Sequence, residues 1–334
     1  MRRYPFIFFI AVSFLGIFFA ALSLSLGSVS IPFYELWNVI FNHGGIENGW
    51  RIIVLELRLP RILTSLAAGS ALSVAGLGMQ TLFQNPLAGP FVLGINAGAS
   101  LGVALATLLT GALASLGLAA SSWLGSSLVL FVMIGIAGRL KNNITLLILG
   151  LMFGYGVSAL VSVLIHFSSP EQIQQFVLWS FGSFSSVTWQ QLSLFVPVSL
   201  SGVMAMFFLA KPLNALLLGE SYASTMGVSV RHIRLALVFV TAILAGTVTA
   251  FCGPIAFLGM AVPHLCRHFL KSGDHRLLIP ASALSGGVLA LAADFFAHLP
   301  GSALVLPLNA VTSLVGAPVV VWVILRSPYG AKVS

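Results

Sequence analysis

RHIRLALVFVTAILAGTVTAFCGPIAFLGMAVPHLCRHFLKSGDHR, residues 231–276, is the stretch whose reading decides the fold. Arg231 and Arg234 open it, Arg267, Lys271 and Arg276 close it, and the interval 235–266 carries no charge. Excess Lys and Arg marks the cytoplasmic side of a membrane chain, so both clusters belong on one side. The chain between them must then cross an even number of times. About 32 residues supply roughly 48 Å of helix, against about 60 Å for two full spans. Gly253-Pro254 breaks the helix in between. The expectation is one full span at 235–252 and a short, tilted or partly buried return element at 254–266.

Outward from there, apolar runs at 5–26, 62–83, 91–113, 115–137, 144–167, 189–209, 277–297 and 304–325 are each long enough to cross about 30 Å of hydrocarbon. With 235–252 and 254–266 they predict an all-α polytopic membrane protein, a compact bundle of ten transmembrane helices with both termini cytoplasmic. The other basic clusters agree. Arg2 and Arg3 precede the first helix, Arg139 and Lys141 follow the fourth, Lys211 follows the sixth, and Arg326 and Lys332 follow the tenth. Of the 15 Lys and Arg, only Arg51, Arg58 and Arg61 fall outside. Apolar residues make up 58% of the chain and mean hydropathy is +1.06. A pI of about 10.1 therefore reflects cytoplasmic loops rather than a nucleic-acid surface. Arg2-Arg3 before an apolar run also fits a signal peptide, but the run is too long and lacks a clean A-x-A site, so it reads as an uncleaved first helix.

The whole of 1–334 reads as one membrane domain. Its longest polar connections are 27–60 and 168–188 outside and 211–234 inside, and none can build a core of its own. Residues 170–183 read as an interfacial helix capped by Ser169, with Pro170 in the first turn, Glu171 near the dipole, and Phe176, Trp179 and Phe181 apolar. Gly69, Ser73, Gly76 and Gly78 on the second helix let neighbouring helices approach closely.

Ion-coupled transporters keep ionisable groups within the membrane, and this chain holds few. Asp294 near the outer end of the ninth helix reads as a packing or anchoring residue, and His264 as a hydrogen-bonded structural one. Cys252 and Cys266 fall near opposite faces and predict neither a disulfide nor a metal site. No Walker A pattern occurs, so active transport would draw on another subunit. Gly98-Ala99-Ser100-Leu101-Gly102 fits G-x-S-x-G, yet it lies in an apolar helical run with no base or acid beside it, so catalysis is not expected. His43 and His166 read as ordinary loop or interface residues.

Three stretches resist a purely structural reading. Leu57-Arg58-Leu59-Pro60-Arg61 puts two arginines at the outer mouth, suited either to lipid headgroups or to carboxylates on an external partner. Gln84-Asn85-Pro86-Leu87-Ala88-Gly89-Pro90 makes a stiff inner corner, a plain turn or a constriction. Leu218-Gly219-Glu220-Ser221-Tyr222-Ala223-Ser224-Thr225-Met226-Gly227-Val228 reads as a short helix closed by Gly227, with apolar and small residues that suit a groove on a partner.

In this order, the three resemble the FecCD-type permease subunits of ABC importers for iron chelates, haem and cobalamin. The likeness runs from about Arg58 to Arg326. It includes Leu57–Arg61 and Gly69–Gln80, Asn85–Pro90 with Leu93-Gly94, Gly219-Glu220 with Met226-Gly227-Val228, and Gly253-Pro254-Ile255 with Phe257-Leu258-Gly259. Pro263-His264 with Arg267, Gly273-Asp274-His275-Arg276, Ala293-Asp294, and Val311-Thr312 to Gly316-Ala317-Pro318 complete it. The resemblance implies a multi-pass bacterial inner-membrane subunit, surrounded by lipid, that pairs with a second copy or a close relative around a central pathway. Two cytoplasmic ATPase subunits would dock beneath and a substrate-binding protein above. No cofactor, bound metal or nucleic acid is expected.

By position, the resemblance implies that Arg58 and Arg61 meet glutamates of the binding protein, and that Asn85, Leu87, Asn143 and Ile144 lie at the cytoplasmic gate. It assigns ATPase coupling to Leu218, Gly219, Glu220, Ser221, Tyr222, Ala223, Met226, Gly227 and Val228. Two departures fall at the outer mouth. His298 stands where the family commonly has a further docking arginine, and Val305-Leu306-Pro307-Leu308-Asn309 replaces a Glu-Leu-Pro-x-Gly turn. The leading expectation is the pore-forming subunit of an importer for an iron-siderophore or haem. A cobalamin permease is the alternative within the family, and an ion-coupled secondary transporter the alternative from another class.

Overall fold

The computed structural model describes residues 3–27, 29–41, 48–109, 117–137, 143–299 and 305–326. Arg2, His43, Arg139, Lys141 and Lys332 lie outside the described residues, as does the side chain of Asn143. The described chain is helical, with no strand among the described residues. In order, α1 spans Arg3–Ser25, α2 Phe33–Phe41, α3 Asn48–Ile52, α4 Leu59–Leu82, α5 Ile95–Ala104, α6 Gly117–Ala137, α7 Asn143–His166 and α8 Pro170–Ser180. Then follow α9 Trp189–Phe208, α10 Ala210–Leu216, α11 Glu220–Thr225, α12 Val230–Cys252, α13 Leu258–Leu270, α14 His275–Ala297 and α15 Leu308–Arg326. Among the described residues, seven helical stretches are long and apolar enough to cross a membrane: α1, the run 49–82, α6, α7, α9, α12 and α14. Ile95–Leu108 and Leu308–Trp322 are shorter apolar helices.

The bundle is built around α4. In hydrocarbon, lipid tails solvate Leu as well as another helix does, so association rests on close packing. The small residues of α4 supply it. A Cβ on Gly69 would collide with the Gly286 carbonyl of α14, and one on Gly76 with the Gly259 carbonyl of α13. The backbones therefore touch directly. About three-quarters of the apolar windows of 49–82, α12 and α14 are buried, against 6% of α1 and 17% of α7. This sorts the helices into an inner layer of α4, α12 and α14 and an outer one of α1, α6, α7 and α9.

Two boundaries differ from the sequence expectation. The connection 27–60, expected outside, is helical over Phe33–Phe41 and from Asn48 onward among its described residues. From Asn48 the helix continues through a wide π-turn, Ile53–Arg58, straight into α4, where Leu59 N–H reaches the Val54 carbonyl. Pro60 looks like a helix start because its ring clashes with the carbonyl four residues back. The widened turn makes room for it and the helix continues. The third run starts later than the expected residue 91. Phe91–Gly94 extends the turn, Gly94 takes φ +75°, and α5 begins only at Ile95.

The short, partly buried element expected at 254–266 is a helix displaced to Leu258–Leu270. Gly253 ends α12 at φ +74°, an irregular turn follows, and α13 is a 13-residue helix whose buried face includes Ala261, Val262 and Cys266. The helix expected over 170–183 is α8, capped by Ser169 in a capping box with Gln172. Its Phe176 packs on Val103, Leu108, Val157 and Val161, so the apolar side covers protein as well as facing outward. Glu171 in its first turn has its carboxyl below the usual carboxylate range, held first by backbone N–H and then by Ser169.

Candidate functional site

At the end expected to face outward, α4 and α14 bring Arg61 and Asp294 together. Arg61 Nε lies 3.0 Å from Asp294 Oδ2, an ion pair by distance rather than an aligned hydrogen bond. Asp294 is 1% exposed, so the nearby cation is what lets a carboxylate remain there. His298, one turn on, places Nδ1 3.4 Å from Asp294 Oδ1, and its Nε2 lies 3.3 Å from the Ser185 hydroxyl. Arg58 is placed differently from the outward-facing docking pair expected of Arg58 and Arg61. It is buried, and its guanidinium donates to the backbone carbonyls of Leu24 and Val29, fastening the end of α1 to the 49–82 helix. Sequence reading missed the Arg61–Asp294 pair. The signal was present: a lone acid in an apolar helix requires a cation, and Arg61 is at the same membrane depth.

The inner corner follows α4. Gln84 adopts φ +45°, and the Asn85 side chain accepts from Leu87 N–H at 2.9 Å, closing an Asx turn. His264 Nε2 is 2.6 Å from the Pro86 carbonyl and Gln84 Nε2 donates to the Leu216 carbonyl at 3.1 Å. The corner is thus held to α13 and to α10. Just above it, Gln80 donates to the Met260 carbonyl and accepts from Arg267. Leu87 is exposed on the corner, and Ile144 is exposed at the start of α7.

Below α9, α10 leads through Leu217–Gly219 into α11. Gly227 takes φ +79° and closes α11 with two bonds, Val228 N–H to Ala223 and Gly227 N–H to Ser224. This Schellman arrangement fixes the helix end. Glu220 pairs with Arg234 of α12 at 3.1 Å, and Ala223 is fully buried. Leu218, Tyr222 and Met226 are exposed. The segment is a firmly held short helix that turns apolar side chains outward.

A cavity of about 710 Å³ lies between α5, α7 and α8. Asn96 and Ser100 face it from α5, Tyr155, Ser158 and Ser162 from α7, and Asn309 from the start of α15. Its described lining holds hydroxyls, amides and aromatic rings but no charged side chain. The Asn96 carbonyl oxygen is buried there without a hydrogen-bond partner.

Residues 15–326 match the model of the FecCD transport family. The chain belongs to that family. Among curated FecCD relatives, the hemin transport system permease protein HmuU of Yersinia pestis is 38% identical over 313 residues, 91% of each chain. The vitamin B12 import system permease protein BtuC of Klebsiella pneumoniae is 38% identical over 279 residues, 83% of each. A solved ABC transporter described as of the metal-chelate type and inward-facing superposes with a TM-score of 0.85 at 28% identity, covering 97% of this chain and 100% of that one. These FecCD relatives are membrane permeases, not enzymes.

Proposed function

We propose that this FecCD-family permease forms the membrane pathway of an ATP-driven importer that takes a metal chelate from a substrate-binding protein into the cytoplasm, haem or an iron-siderophore first. The observation that carries this reading is the match across 15–326, joined to 38% identity with a hemin permease over 91% of both chains. A cobalamin cargo is the second reading, favoured by equal identity to a vitamin B12 permease. Ten crossings follow from adding Ile95–Leu108, α13 and Leu308–Trp322 to the seven longer stretches. Positive-inside counting then keeps both termini cytoplasmic.

A second copy of the chain is the proposed partner across the thinly covered face. The apolar window of α7 is 17% buried, and Leu314 of α15 is 77% exposed. The uncharged cavity would form part of the passage between the copies. Docking of the binding protein is proposed at the outer mouth, with Arg61 and His298 at its surface and Arg58 bracing the edge. Asn85, Leu87, Asn143 and Ile144 would close the cytoplasmic end, and Leu218–Val228 would seat in the ATPase subunits. Ion-coupled transport finds no support at Asp294, because a carboxylate paired with Arg61 is not a free proton carrier.

The test is reconstitution in proteoliposomes with ATPase subunits and binding protein, offering haem, a ferric siderophore or cobalamin. ATP-dependent uptake of one chelate is expected. Uptake driven by an ion gradient without the ATPase would overturn the proposal.

A further inference from the structure

Four side chains form a continuous hydrogen-bonded chain where α4, α10 and α14 meet. Thr81 Oγ1 lies 2.8 Å from His275 Nε2, His275 Nδ1 lies 2.7 Å from Asn214 Oδ1, and Asn214 Nδ2 donates to Asp274 Oδ1 at 2.6 Å. Their polarity can be assigned from one end. The Asp274 carboxylate only accepts, so the Asn214 amide must turn its NH₂ toward it and its oxygen toward His275. That oxygen takes the Nδ1–H of the ring and also the His275 backbone N–H at 2.8 Å. A neutral ring then has only Nε2 left to accept, and the Thr81 hydroxyl, which also lies 3.0 Å from the Leu77 carbonyl, is the donor that can turn its one proton to it. Both ring nitrogens of His275 thus have a partner, and both His275 and Thr81 are buried.

The position of this chain is what gives it a role. Thr81 sits at the end of α4, just before the inner corner, and Gln84 on that corner reaches the Leu216 carbonyl. Asn214 and Leu216 both belong to α10, which runs directly into the coupling segment. Asp274 and His275 begin α14, whose other end carries Asp294. Two independent attachments therefore join α10 to the end of α4. Buried hydrogen bonds of this kind hold a discrete geometry, because an unmade one leaves polar groups without partners.

We infer that the Thr81–His275–Asn214 junction and the Gln84–Leu216 bond are the mechanical joint that ties movement of the coupling segment to the inner corner at Asn85–Leu87. Asn214, His275 and Gln84 are on this account positioning residues. The inference rests on the proposed gate and coupling assignments, and names the parts that connect them. When α11 moves, α10 moves with it. Through the joint, the end of α4 follows instead of being left behind.

The experiment uses the permease with its ATPase subunits and binding protein in proteoliposomes, measuring ATP hydrolysed and chelate imported in the same sample. Asn214→Leu keeps side-chain size but removes all three hydrogen bonds of the side-chain amide. Gln84→Ala cuts the second attachment at an exposed position, so it decides the matter if Asn214→Leu does not assemble. Expected are ATP hydrolysis within about twofold of wild type and chelate imported per ATP reduced at least about fivefold in each. His275→Gln, which can still accept from Thr81 and donate to Asn214, should recover most of the ratio. An unchanged ratio in assembled complexes of Asn214→Leu and Gln84→Ala overturns the joint. Gly227→Trp separates the two levels: if it too leaves hydrolysis and transport intact, the coupling assignment is what fails.

Discussion

α4 and α7 are both 24-residue apolar helices, yet they do opposite things. α4 is enclosed by α14, α13, α12 and α9, with glycines that admit neighbouring backbone. α7 rests mainly on α5 and buries Leu146 in the core, while most of its other residues are exposed or line the uncharged cavity. Hydropathy cannot separate them, since either composition suits lipid. The extent of backbone contact can: α4 admits neighbouring carbonyls at both Gly69 and Gly76, on two partner helices, whereas α7 does so only at Gly150, near its start. A helix fixed through carbonyl-to-glycine contact cannot shift without breaking many contacts, whereas one held along a single face is free to move or to take a second copy.

Gly76 offers the harshest test of that contrast. Valine there would drive side-chain atoms into the Gly259 backbone, and we expect no monodisperse folded protein on gel filtration. Recovery of a well-behaved Gly76→Val protein would break the comparison at its fixed end. Next comes Asp294→Ala, which leaves the Arg61 guanidinium without its buried counter-ion. A loss of about 3–5 kcal/mol is expected, read as a lower Tm in detergent. Asp294→Ala with Arg61→Met should regain part of it, because removing both partners abolishes the unpaired charge.

On α7 the sign reverses. A Cβ on Gly154 meets nothing within 4 Å, so Gly154→Ala should stabilise the isolated subunit by about 0.5–1 kcal/mol through helix propensity. If the same variant weakens self-association in cross-linking, the second copy covers that face, which sharpens the comparison. A lower Tm in the monomer would contradict it. The smallest effect concerns the start of α14. Asn214, acting first, then the Arg276 backbone N–H, hold the Asp274 carboxyl below the usual range. A depressed folded value stabilises above the unfolded pKa of about 3.9 and is lost as pH falls through the folded value. Thermal stability should therefore show no Asp274-dependent change from pH 7 to 5, and Asp274→Asn should differ from wild type least below about pH 4.

Periodicity and charge were enough to locate α1, α6, α7, α9 and α14 to within a few residues. The Ser169 cap and the Gly227 stop were equally readable, since each is a local rule acting on adjacent residues. Pro60 misled because the wide turn that accommodates it has no signature of its own. Pairings between distant residues were not legible either. Arg61 and Asp294, or Thr81 and His275, meet only because glycines let α4 and α14 touch, and a single sequence does not say which faces those glycines join. The cavity lining was hidden for the same reason: Ser158 and Ser162 of α7 line it with Asn96 and Ser100 of α5, a pairing that no local pattern announces.

The wide turn at Ile53–Arg58 also governs how this chain tolerates insertion and deletion. Removing one residue within 62–82 would rotate half of α4 by about 100° and turn its glycines away from α13 and α14. Removing one from Ile53–Leu57 would instead tighten the π-turn to an α-turn and pass the rotation to the five-residue α3. Pro60 then becomes the obstacle, so the shortened chain should fold well only when Pro60→Ala accompanies it. A folded yield that is no better with Pro60→Ala than without would separate the two features. The turn acts as a length buffer, absorbing changes upstream so that the register of the helix at the centre of the bundle is kept.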